Sequence, residues 1–469
     1  MSRWSSGLTS DANRHGPTIR RRRGVPWART LWLAVLILCL LPVRPAAQDW
    51  FRTGTGLGVK KIRLALPDFS GPGPNSSLGA LFNQVLWNDL EYSGILEMVS
   101  KSFYPLPASW PTAPSQLQPT AWTAAPVAAQ MILYGSLTQQ QNGLEVHAWM
   151  NDLGNPGAAP VLAKIYRGAA DPQAVRRLAH ELADDVVQLL SGGVPGIAQT
   201  RIAFTSTRSG RPELWVMDYD GANQQQLTHL GTAALTPRWS PDGTLIAFTC
   251  FEPYRGVLSA QICIYSLLAH RLLHFPRFAG TTSSPAWSPD GRQLAFMGTA
   301  LGGTQIFVSD ASGGHRRQLT FVPRAVNTSP MWNPRTGQQM VFVSDRGGSP
   351  QLYLMNADGS NVVKIDLPDM GYVIDPAWSP NGQLLAFSWR RPGGNYDLYV
   401  MDLATRQLLE LTRDAGRNER PSWAPDGRHL VFESTRSGSR QIWTMLADGS
   451  GLRQLTTGGE NFSPNWSWH

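Results

Sequence analysis

Ser284-Pro-Ala-Trp-Ser-Pro-Asp-Gly291 is one of a family of stretches within this chain. Thr236-Pro-Arg-Trp-Ser-Pro-Asp-Gly243 precedes it. Ser329-Pro-Met-Trp-Asn-Pro334, Asp375-Pro-Ala-Trp-Ser-Pro-Asn-Gly382 and Arg420-Pro-Ser-Trp-Ala-Pro-Asp-Gly427 follow, and Ser463-Pro-Asn-Trp-Ser467 is a truncated last copy. The tryptophans Trp239, Trp287, Trp332, Trp378, Trp423 and Trp466 are 48, 45, 46, 45 and 43 residues apart. A near-constant period in the forties predicts a radial β array with one blade per repeat.

Each repeat reads as four short strands. Pro-x-Trp is the first, with Trp facing the packing between blades. Pro-Asp-Gly then turns the chain: Pro presets φ, Asp tolerates the next position, and Gly takes the left-handed conformation. The second strand is Arg201–Phe204, Leu245–Phe248, Leu294–Phe296, Met340–Phe342, Leu384–Phe387 or Leu430–Phe432. The third is Leu214–Asp218 and its counterparts, of which Ile262–Tyr265 is the divergent copy, and the fourth carries Gln226-Leu-Thr228 or its equivalents. The array starts on a second strand at Arg201 and ends on a first strand at Trp466. Six complete blades therefore require the two ends to share one, which makes the last dozen residues structural and removes exposed sheet edges.

Before the array lies a different pattern. Ile62, Leu64 and Leu66 alternate with Arg63 and Ala65, as in a half-buried strand. Leu78, Leu81, Phe82, Val85, Leu86 and Leu90 follow helical spacing up to Gly94. Strands are expected at 95–99, 131–134, 144–150 and 161–166, with Asn142-Gly143 as a hairpin turn. Asp171 and Pro172 start a second helix that Gly192 stops. Residues 101–126 are Pro-rich and read as a long surface loop. The expected organisation is a signal peptide (1–47), a flexible arm (48–59), a small α/β domain (60–190), a linker (191–200) and a six-bladed β-propeller (201–469) closed by the C-terminal strand: a multidomain α/β plus all-β chain.

The formal net charge of +8 belongs mostly to the N-terminal segment, where residues 1–47 hold eight Arg and one Asp. The rest is close to neutral, so no nucleic-acid or anionic-membrane partner is expected. Arg20 to Arg23 and Arg29, the apolar run Leu31–Leu41 and Pro45-Ala-Ala47 have the order of a secretory signal. A retained anchor is the other reading, though the run is short for a membrane span. Beyond it only Cys250 and Cys263 remain. They fall on consecutive strands of one blade, which leaves open a cross-strand disulfide or two buried thiols.

Catalytic patterns are missing from the sequence. There is no Gly-x-Ser-x-Gly elbow, Walker loop or His-Glu-x-x-His. Gly54-x-Gly56-x-Gly58 follows no strand, and Asp242, Asp290, Asn381 and Asp426 are explained by the turns they occupy. The expectation is a non-enzymatic protein without cofactor or metal.

The ordered set of signal, α/β domain and six Pro-x-Trp-Ser-Pro-Asp-Gly blades resembles the TolB family of the Tol–Pal envelope system. Leu66-Pro-Asp-Phe-Ser-Gly-Pro-Gly73, Pro119-Thr-Ala-Trp122, Thr200-Arg-Ile-Ala-Phe204 and Met217-Asp-Tyr-Asp-Gly-Ala-Asn223 carry the likeness. The resemblance implies a monomeric periplasmic scaffold. It would bind the peptidoglycan-associated lipoprotein Pal on one propeller face and TolA through the arm, and so act indirectly on peptidoglycan and the outer membrane. Carried over, the Pal face comprises Thr281, Ser284, Asn327 and Thr328, with Thr236, Asp375, Arg420 and Ser463 by repeat symmetry. The TolA arm comprises Asp49, Trp50, Phe51 and Arg52. Competing readings are an exported propeller that binds peptide or carbohydrate, and a peptidase-type propeller.

Overall fold

In the computed structural model, the described residues are 60–71, 77–141, 143–254, 256–369 and 371–468. The signal, the arm and its Asp49, Trp50, Phe51 and Arg52 lie outside them. None of the described helices is long and apolar enough to cross a membrane.

The first part is a five-stranded sheet in the order β2-β1-β3-β4-β5: β1 (Ile62–Ala65), β2 (Leu96–Met98), β3 (Met131–Gln140), β4 (Gly143–Asp152) and β5 (Leu162–Gly168). β1 runs parallel to both neighbours, and the remaining pairs are antiparallel. Two helices, α1 (Ser77–Tyr92) and α2 (Pro172–Leu190), share a core with the sheet. The apolar positions of α1 bury as their spacing predicts: Phe82, Val85, Leu86 and Leu90. Asp171 caps α2, its Oδ1 accepting from Ala174 N at 2.9 Å.

The Pro-rich stretch differs from its expectation. It forms short 3₁₀ turns and the helical turn Pro119–Thr123. It also buries Trp122 and Val127 in a second cluster with Ala65, Ile132 and Tyr134. What lacks period here is a cover for the sheet, built from prolines and isolated aromatics.

The second part is six four-stranded antiparallel sheets. Numbered by their tryptophans, blade 1 starts on Ala234–Trp239, blade 2 on Thr282–Trp287, blade 3 on Asn327–Trp332, blade 4 on Tyr372–Trp378 and blade 5 on Asn418–Trp423. Blade 6 joins Asn461–Trp466 to Arg201–Ser206, Glu213–Asp218 and Gln225–Gln226. Asn461 pairs with Ser206 and Trp466 with Ile202, so the two ends of the array do share a blade. Ser467 N and Oγ bond the backbone of Arg201 just beyond.

The six tryptophans are buried and tie blade to blade. The indole N–H of Trp287 donates to Arg238 O, that of Trp332 to Ala286 O, of Trp423 to Ala377 O and of Trp239 to Asn465 O. In each case the acceptor is the residue before the tryptophan of the preceding blade. Trp378 bonds Gly382 O and Trp466 bonds Thr200 Oγ1 instead. The turns behave as read: Gly243, Gly291, Gly382 and Gly427 have φ of 69°, 68°, 74° and 65°.

The α/β part packs on the turn end of blades 5 and 6. Tyr92, Ile197 and Ala198 share one core with Phe204, Tyr219, Ala424, Val431 and Trp466. Residues 191–200 take part in this contact, since Ala198 N donates to Asp184 Oδ1 at 2.8 Å.

Candidate binding face

The inner strands start at the propeller end opposite the α/β part. Each carries the same irregularity just before its proline. In blade 2, Ser283 pairs with Met297 and Ala286 with Ala295, so the inner strand holds one extra residue. The same one-residue bulge recurs in all six blades. Its residue is left-handed each time: Thr236 (φ 51°), Ser284 (54°), Ser329 (50°), Asp375 (52°), Arg420 (56°) and Ser463 (54°). None is glycine, and a left-handed L-residue costs about 1 kcal/mol. The following proline disfavours the right-handed alternative and has no N–H to lose from the ladder.

The bulge frees a backbone N–H, and in blades 2, 5 and 6 a side chain of the preceding blade takes it. Ser284 N donates to Thr249 Oγ1 at 3.2 Å, Arg420 N to Ser388 Oγ at 3.1 Å and Ser463 N to Glu433 Oε2 at 2.6 Å. Glu433 is the exception at a position otherwise held by Thr, Ser, Met or Val. It is buried beside Arg420, whose Nη1 lies 3.6 Å from Glu433 Oε2 and also bonds Ser463 Oγ. Burial pushes the Glu433 carboxyl up, against the pull of Arg420. Burial likewise raises Asp375, which feels both Arg420 and Arg238. It drives the Arg238 guanidinium down to about 10. Blades 1, 4 and 5 thus place mixed charge along the channel, while blades 2, 3 and 6 contribute Ser284, Ser329 and Ser463.

Thr281 is exposed, its hydroxyl against that of Thr299. Thr236, Ser284, Thr328, Asp375 and Arg420 are half-buried around the channel mouth. Asn327 and Ser463 are buried, at 0% and 1% exposure. Asn327 Nδ2 donates to Thr304 O and Gln305 Oε1, and its Oδ1 accepts from Arg346. The structure therefore gathers the eight residues on one end of the propeller. It gives Asn327 a structural job there, holding the corner between blades 2 and 3.

Sequence reasoning missed a raised apolar rim on the same end. The central hairpin of blade 1, Leu245–Tyr254 with Val257–Ser266, has ten-residue strands against six in blades 3 and 5. Its tip exposes Val257 (68%) and Leu258 (57%). The longer hairpin of blade 2 exposes Leu301, and the connection to blade 3 exposes Phe321 and Val326. The visible signal was the length between Phe248 and Ile262. A disulfide, Cys250–Cys263, ties the blade 1 hairpin, so the open question of the thiols is settled. Cys250, Glu252 and Cys263 are close enough together to suggest a metal group. With the two sulfurs bonded to each other, only the carboxylate is left to ligate.

The other missed residues are two buried histidines at the junction with the α/β part. His429 Nδ1 lies 2.6 Å from Asp426 Oδ2, and its Nε2 lies 2.8 Å from Tyr92 O. His180 Nδ1 lies 2.7 Å from Asp89 Oδ2, while Tyr219 OH donates to Asp89 Oδ1.

Comparison with known proteins fits this architecture. A family model described as the TolB beta propeller domain matches residues 188–373 and 367–469, and one described as the TolB amino-terminal domain matches 55–155. The chain belongs to the TolB family. It is 30% identical over 322 residues to the Tol-Pal system protein TolB of Bordetella pertussis, covering 68% of this chain and 69% of that one. It is 33% identical over 306 residues to the same-named protein of Anaeromyxobacter dehalogenans, covering 65% and 67%. The crystal structure of TolB from Acinetobacter baumannii superposes with a TM-score of 0.74 at 24% identity, covering 87% and 97%. This TolB-family chain is accordingly a component of a Tol-Pal system.

Proposed function

We propose that this TolB-family protein is a non-enzymatic periplasmic scaffold. In this reading the bulged end of the propeller binds the lipoprotein Pal, and the arm with Asp49, Trp50, Phe51 and Arg52 binds TolA. The link supports outer-membrane integrity and its invagination at division. The observation that carries the Pal half is the ring of six left-handed residues opening onto the end that the α/β part leaves free. Such a ring fixes polar and charged side chains on rigid strands around one mouth, and bulges are how sheets re-aim side chains.

The test is calorimetric titration of the unit Asp49–His469 with the soluble domain of Pal from the same cell. Thr281→Glu and Thr328→Ile are titrated beside it. One-to-one binding weakened about tenfold or more by either substitution supports the site. Binding untouched by both moves the site elsewhere. No heat at tens of micromolar, a binding free energy weaker than about −6 kcal/mol, overturns the Pal reading.

A further inference from the structure

The channel has a second mouth, at the turn end, and it is a funnel of about 280 Å³. Its walls are the edges of the six repeat tryptophans, with Trp468 at the rim. All six indole N–H groups are already spent on the bonds described above, so the walls offer ring carbon and no donors. Its floor is formed by the residue before each tryptophan. In blades 2 and 4 that residue is alanine, Ala286 and Ala377. Ser422 and Asn465 are polar but occupied: Asn465 Nδ2 donates to Ser422 Oγ at 3.1 Å, Asn465 Oδ1 accepts from Trp239 N, and Ser422 Oγ accepts from Trp466 N.

Arg238 is different. Its Nη1 donates to Pro237 O at 3.0 Å, and no carboxylate among the described residues forms an ion pair with it. It is the one charged residue lining the funnel. The charges nearest it, Asp375 and Arg420, act in opposite directions. A guanidinium held in a confined channel without a paired anion is a cost to folding. The alanines at the same place in two other blades show that the blade itself does not need it.

We propose that the funnel is a binding site for small aromatic carboxylates, with the flat apolar body between the tryptophan edges and the carboxylate on Arg238. Guanidinium is suited to this because its planar fork meets both carboxylate oxygens. The cavity is near the lower end of the range typical of small-molecule sites, which limits the ligand to one or two fused rings. The funnel opens at the end of the channel opposite the proposed Pal face, while its Arg238 stays within electrostatic reach of Asp375 and Arg420 on that face.

The experiment is calorimetric titration of the unit Asp49–His469 with 2-naphthoate and, separately, with 2-naphthamide, which has the same rings and no charge. The expected result is saturable binding of the acid, with the amide about tenfold weaker or more. Arg238→Ala, which copies blades 2 and 4, is expected to melt no lower than the parent and to lose the preference for the acid. Trp468→Ala, at the exposed rim, is expected to weaken both probes alike. Equal binding of acid and amide, a preference that survives Arg238→Ala, or no saturable heat with the acid up to about 5 mM would each overturn the proposal. The comparison of the two probes on the parent protein holds even if a variant fails to fold.

Discussion

Asp242, Asp290, Asn381 and Asp426 occupy one place in four repeats, yet their surroundings set them apart. In blades 1, 2 and 4 the preceding Ser240, Ser288 and Ser379 donate to that side chain. In blade 5 the serine is Ala424, and Asp426 turns to His429 and Arg428 under the α/β part. Burial alone would push Asp426 up; its interactions with His429 and Arg428 overcome that and hold its carboxyl at about 2. Because the folded value lies below the ordinary carboxylate value, the stabilisation is complete at neutral pH. It shrinks once pH falls below about 4 and is gone below about 2, a loss of roughly 2 kcal/mol. Asp426→Asn is expected to cost about 3 kcal/mol in urea unfolding at pH 7, since it leaves the buried Arg428 without its carboxylate and disturbs the His429 bond. Asp242→Asn and Asp290→Asn are expected to stay within about 1 kcal/mol, Asn381 being the natural precedent. Equal costs at the three positions would show that Asp426 is only a turn residue. The repeat explained the aspartate so well that its second task was hidden. The legible signals were the two departures beside it, Ala424 and His429.

The strands themselves were readable because period, turn chemistry and apolar patterning agree in most of the repeats. The inner-strand bulge was not readable, since an extra residue in a strand leaves no composition signal beyond Pro. It is open to a direct test. Ser329 makes no ladder-saving side-chain bond, so substitutions there report on backbone conformation alone. Ser329→Asn is expected to be neutral, whereas Ser329→Val should lose about 2 kcal/mol more, because a β-branched residue fits the left-handed region poorly. Similar unfolding midpoints for both would contradict the conformation. The rim hairpin makes a second element-scale case. Its cysteines are 13 residues apart. Opening the bridge by Cys250→Ser with Cys263→Ser should lower stability by about 3 kcal/mol on the chain-entropy model. Proteolysis at the Val257-Leu258 tip should speed up accordingly, while a cleavage rate unchanged by the double substitution would show that the strand pairing alone holds the hairpin.

For the whole molecule, sequence phase was enough to show that the ring must close on its own C-terminal strand, and the pairing of Trp466 with Ile202 follows that arithmetic. The docking of the α/β part on blades 5 and 6 was out of reach. It depends on surfaces such as Tyr92, Ile197 and Ala424, each of which looks like ordinary core within its own segment. A chain ending at Gly458 lacks the inner strand of blade 6 and exposes the hydrogen-bonding edge of Arg201–Ser206. It is expected to elute as aggregate, and a separate peptide covering 459–469 should restore a monomeric peak. A monomeric, cooperatively melting truncated chain would show that the closing strand is dispensable.

The shared blade also sets a clock. Its outer three strands are among the first residues of the propeller to be synthesised, and its inner strand is the last. The surface on which the α/β part rests includes that blade, so the part made first cannot settle until the part made last has arrived. Contacts spanning more than 250 residues, such as Trp466 with Thr200, are slow to form and act only at the end. A nascent chain of this design therefore stays unfinished, and threadable, until its final strand is free.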